Sequence, residues 1–155
     1  MKTLTIIACT ILAITVNKCS SSDVKALSEE LVIEYEAKTR GSQSKVIVKN
    51  DSLVVMEEGF KQGVFYYRLS DKDWNSLIKE VQKIDRSKIN TFKAPTNKRA
   101  VDASRTAQIK VLHNKDIYES ALFDEGTPPT ELKSLVDKIV ELYRNSKQKE
   151  IKNDD

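Results

Sequence analysis

Across residues 31–143 the spacing of apolar side chains changes from every second residue to every third or fourth, and it does so twice. A period of two sets one side of a strand against a core. A period near 3.6 sets one stripe of a helix there, and no segment satisfies both. Leu31, Ile33, Tyr35 and Ala37 alternate with Val32, Glu34, Glu36 and Lys38, which predicts a half-buried strand. Arg40-Gly41-Ser42 interrupts it. Residues 46–48 and 53–56 read as two short strands turned at Lys49-Asn50-Asp51-Ser52, because Asn and Asp tolerate a tight hairpin turn. Residues 63–69 make a fourth strand.

At Ser70 the period changes. Ser70-Asp71-Lys72-Asp73 has the form of a capping box, and Trp74, Leu77, Ile78, Val81 and Ile84 then fall on one helical stripe. Residues 85–104 are irregular, pinned by Ile89 and Phe92, with an exposed loop where Pro95 disfavours helix for Ala94. Ala107, Ile109, Val111 and His113 restore the period of two, and a turn at Asn114-Lys115-Asp116 leads to a sixth strand over 117–123. Gly126-Thr127-Pro128-Pro129 predicts a helix start, and Leu132, Leu135, Val136, Ile139, Val140 and Tyr143 form its stripe. The expected fold class is α+β: a single antiparallel sheet of about six strands with two amphipathic helices on one face, in the order ββββ-α-ββ-α. This domain spans 31–145 and precedes a flexible charged tail at 146–155.

The chain ahead of the domain has a different character. Lys2 precedes an apolar run of 13 residues, 4–16. That length suits a signal-peptide core of about 7–15 residues and falls short of the roughly 20 that span a bilayer. Residues 1–18 are therefore expected to be a removed signal peptide, and 19–30 a polar tether. Cys19, followed by Ser20-Ser21-Ser22-Asp23, is the expected lipidation site, anchoring the chain to the membrane with about 0.8 kcal/mol per buried lipid CH₂. Val16 fits the usual cleavage box, whereas Lys18 stands where a small residue is usual. Cleavage after Ser21 is the alternative, and it gives a soluble secreted or periplasmic inhibitor or ligand-binding module.

Composition excludes more chemistry than it supports. Two cysteines and one histidine rule out a disulfide scaffold, a thiolate-rich zinc site and a multi-histidine centre within one chain, so no metal or cofactor is expected. There is no phosphate loop, dinucleotide fingerprint or calcium loop. Loss of Lys2 and Lys18 reduces 26 basic side chains to 24 against 23 acidic ones, so the charge falls from +3 to +1. Such a balance gives no electrostatic drive toward nucleic acid. Asp102, Ser104 and His113 are the one grouping suited to nucleophilic catalysis, but no Gly-x-Ser-x-Gly elbow accompanies them. A hydrolase around His113 stands as an alternative. The pairs Glu57-Glu58 and Asp124-Glu125 lie at element ends and read as solvated charges.

Two features suggest binding. Arg40, Lys93, Lys98, Arg99 and Arg105 are candidates for an anion-binding rim, set against a plainer reading as solvated cations balanced by acids on neighbouring strands. Tyr66 alternates with Phe65 and Tyr67, so it faces the opposite side of the sheet. One of the two sets meets the helices; the other lies on the open face, where an exposed aromatic suits a binding surface.

The chain resembles the small uncharacterised lipoproteins of Bacteroidetes-type cell envelopes. The resemblance rests on Cys19-Ser20-Ser21-Ser22-Asp23 and Lys38-Thr39-Arg40-Gly41-Ser42, then on Leu69-Ser70, Ala94-Pro95-Thr96-Asn97-Lys98 and Asp124-Glu125-Gly126-Thr127-Pro128-Pro129. It implies export to the outer membrane or the periplasmic face of the envelope, a compact α+β domain, and no transferable catalytic residue. The function expected is that of a non-enzymatic, monomeric lipoprotein that binds a protein or an acidic envelope component.

Overall fold

The alternating segments pair into one antiparallel sheet. The computed structural model describes residues 30–60 and 62–153. The expected signal peptide, Cys19 and most of the tether lie outside the described residues. In chain order the elements are β1 (Leu31–Lys38), β2 (Gln43–Lys49), β3 (Ser52–Glu58), β4 (Gly63–Arg68), α1 (Asp71–Gln82), β5 (Thr106–His113), β6 (Asp116–Glu119), β7 (Phe123–Asp124) and α2 (Lys133–Asn153). The sheet order is β4-β3-β2-β1-β5-β6, with β7 also on β5, and every pairing is antiparallel. The class is α+β.

The hairpin turns fall where Asn takes up the left-handed backbone: Asn50 has φ 51° and Asn114 φ 55°. Ser70 caps α1, its hydroxyl accepting from the Asp73 N–H at 3.2 Å while donating to the Asp73 carboxylate at 2.8 Å. Trp74, Leu77, Ile78 and Val81 of α1 and Leu135, Val136, Ile139 and Leu142 of α2 are buried against Leu31, Ile33, Tyr35, Val46, Val48, Leu53, Val55, Ile109 and Val111 of the sheet. Both helices share that face and each other's company. Phe65 and Tyr67 pack against this core, so Tyr66 points to the open side.

Three boundaries differ from those read in the sequence. The expected sixth strand is broken after Glu119 into β6 and β7. Ser120 causes the break: its hydroxyl, in place of a backbone carbonyl, accepts from the Ile109 N–H at 3.1 Å. The prolines at 128–129 precede the last helix and are not part of its first turn. Pro129 is extended (ψ 145°), and a 3₁₀ turn over Thr130–Leu132 leads into α2. Finally, α2 runs to Asn153, so the boundary expected at residue 145 lies inside the helix.

Candidate functional site

The open face is assembled by the strand register. Tyr66 pairs with Val54, Val54 with Ile47 and Ile47 with Glu34; one row along, Val64 pairs with Met56 and Met56 with Lys45. Side chains directly opposite on one face lie about 5 Å apart, so Tyr66, Val54, Ile47, Val64 and Met56 form one contiguous apolar patch. Tyr66 is 77% exposed, Val64 47% and Met56 39%. Toward the middle of the sheet the patch gives way to paired charges. Lys45 Nζ meets Glu34 Oε2 at 2.7 Å, Lys38 meets Glu36 at 2.8 Å, and Lys110 meets Glu119 at 3.2 Å. The first two pairs lie near the centre of the face and the third toward its β6 edge, where Val32, Leu112 and Ile117 form a second, shorter apolar row.

The five candidate cations do not converge on one rim. Arg40 and Arg99 line a recess of about 220 Å³ with Lys38, Thr39, Asp102 and Ser104. Lys93 lies in a neighbouring, more open groove of about 560 Å³ with Phe92, Pro95 and Leu122, and Arg99 lines that groove as well. Arg105 points under the sheet end, where Nη2 donates to the Ala37 carbonyl and to Ser44 Oγ, and Nη1 donates to Glu125 at 3.3 Å. Arg40 reaches Asp102 at 3.5 Å. Lys98 contributes its backbone N–H to Asp124 Oδ2 at 2.7 Å.

Asp124 is the organising residue of this loop. It is 1% exposed and accepts four hydrogen bonds: Oδ2 from the Thr96 hydroxyl at 2.6 Å and from the Lys98 N–H, Oδ1 from the Arg99 N–H and Arg99 Nη1, both at 3.0 Å. Burial pushes its pKa up. The Thr96 hydroxyl, the two N–H groups and the Arg99 guanidinium more than reverse that and hold it well below the usual carboxylate range. A carboxylate read as a solvated turn charge is thus the buried anchor of residues 96–99. Sequence spacing gives no sign of it, because 25 residues separate Arg99 from Asp124.

Glu57 also departs from its expected role. Its side chain lies on the helix side of β3, where Oε1 accepts from the Tyr143 hydroxyl and from Lys147 Nζ at 3.0 Å, tying the later turns of α2 to the sheet. Lys147 also donates to the Tyr143 oxygen at 2.9 Å.

Asp102 and Ser104 line the same recess, but His113 sits at the far end of β5. At about 3.3 Å per residue that end is roughly 23 Å away. The three do not form a catalytic grouping. Among the described residues no cluster of His, Cys, Asp or Glu is placed to hold a metal ion, and no helix is long and apolar enough to cross a membrane.

No family model matches the chain, and a search of curated proteins finds none similar to it.

Proposed function

We propose that the protein is an exported, lipid-anchored component of the cell envelope that acts as a non-enzymatic binding module, presenting the open sheet face around Tyr66 to a protein partner. The observation that carries this reading is the contiguous patch of Tyr66, Val54, Ile47, Val64 and Met56, left exposed while the opposite face carries both helices. Apolar side chains grouped on a solvent face cost solubility and are characteristic of interaction sites. The basic loop is the weaker candidate. Arg40, Arg99 and Arg105 each have a carboxylate partner within 3.5 Å, so an anionic ligand has to displace an existing ion pair.

The anchor follows from Cys19 and its Ser20-Ser21-Ser22-Asp23 tether. Intact mass of the protein recovered from membranes tests it. A diacyl or triacyl increment on a chain beginning at Cys19 supports the reading, and an unmodified N-terminus beyond Cys19 contradicts it. For the binding face, Ile47→Lys and Met56→Lys are expected to abolish association with the envelope partner while leaving the melting temperature within a few degrees, since both side chains lie on the open face. Loss of association in Lys98→Ala/Arg99→Ala, with the face variants unaffected, assigns binding to the loop instead.

A further inference from the structure

The two edges of the sheet are treated differently. The β6–β7 edge is interrupted at Ser120, carries Asp116 and Glu119, and is overlaid by the 3₁₀ turn at Arg86–Thr91, whose Arg86 guanidinium lies 5.3 Å over the Tyr118 ring. These are the usual devices that keep an edge strand from pairing with another chain. The β4 edge has none of them. Gly63-Val64-Phe65-Tyr66-Tyr67-Arg68 contains no proline and no bulge, and its one charge is at the end. Among the described residues its one substantial neighbour is β3.

We propose that β4 pairs antiparallel with β4 of a second copy of this chain, about a twofold axis through Tyr66. In that register Tyr66 faces its own equivalent on the open side, Phe65 faces Tyr67 of the second copy on the helix side, and Val64 faces Arg68. The strand's single charge therefore never meets itself. Arg68 and Glu58 are both exposed on the open face, and Glu58 belongs to the β3 end that pairs with the Val64 end of β4. Within its own chain Arg68 meets Asp51 at 3.5 Å, an exposed pair that Glu58 of the second copy replaces on association. The contacts repeat symmetrically about an aromatic centre, as an isologous interface requires. With the other edge guarded, the pairing closes at two copies and does not propagate. The two apolar patches then become one surface across the axis. The proposal departs from the monomer expected from the sequence, which weighed no strand edge. This pairing does not depend on the open face having a binding role.

Sedimentation equilibrium of the full chain in density-matched detergent tests the proposal. Wild type is expected at twice the chain mass. Tyr66→Lys and Tyr66→Glu place like charges directly opposite each other and are expected to halve the mass, with circular dichroism unchanged because the side chain is 77% exposed. An equimolar mixture of the two variants is expected to return to the dimer mass. A wild type that stays at one chain mass at every loading overturns the proposal, leaving the edge to a strand of a different protein. Dimers unaffected by either variant overturn it too, as does a mixture that fails to recover.

Discussion

Arg99 meets Asp124 Oδ1 twice, through its backbone N–H and through Nη1, each at 3.0 Å. Oδ2 of the same carboxylate is taken by Thr96 and Lys98, so all four contacts are donors pointed at one buried group. An amide cannot replace it, since its NH₂ would face two of those donors. Asp124→Asn is expected to lower the melting temperature by on the order of 10 °C and to remove hydrogen-exchange protection from the Lys98 and Arg99 amides. Because the folded pKa is depressed, the anchor's contribution is complete above the unfolded carboxylate value near 4 and is lost as pH falls below it. The variant should therefore show a flatter acid limb in a pH series of urea midpoints. Equal acid limbs would remove Asp124 from the account of this loop.

Tyr35 has the opposite character. Its ring stacks on Phe123 with centroids 6.5 Å apart, but its buried hydroxyl has no hydrogen-bond partner among the described residues. A buried polar group without a partner costs more than it returns. Tyr35→Phe keeps the stack and is expected to raise stability by about 1 kcal/mol. A loss of that size in urea denaturation would mean that the hydroxyl is satisfied.

Alkaline stability depends on α2. Burial and the Glu57 carboxylate raise the Tyr143 pKa, while the Tyr143 hydroxyl and, against the opposing effect of burial, Glu57 raise Lys147 to about 12. Both groups hold their protons more tightly when folded. Their contribution is complete below the unfolded values near 10 and declines as pH rises toward about 12. Glu57→Gln is expected to cost about 1 kcal/mol at neutral pH, a small effect because Lys147 is partly exposed, and to flatten the decline. Parallel alkaline limbs for the variant and wild type would contradict this.

Much of the fold was legible because it rests on local rules. The Asn50 and Asn114 turns, the Ser70 cap and the stripe of Trp74, Leu77, Ile78 and Val81 each depend on a few consecutive residues. What escaped depends on contacts distant in sequence. Ser120 ends a strand only because its hydroxyl finds Ile109, and Asp124 and Glu57 are anchors only because Arg99 and Tyr143 return to them. The open face lies between these cases. Alternation showed that Tyr66 and Phe65 part company, but which of them met solvent depended on where the helices docked.

Under the proposed function the patch around Tyr66 is covered in the native envelope. Met56 is the one methionine after residue 1, and it lies within that patch, 39% exposed. Its oxidation to the sulfoxide is thus a direct probe of cover. Oxidative footprinting of intact envelopes, compared with the same protein extracted in detergent, should show Met56 and Tyr66 protected in the envelope and labelled after extraction, with Leu122 beside the basic loop labelled equally in both. Equal labelling of Met56 and Tyr66 in the two states would contradict the account.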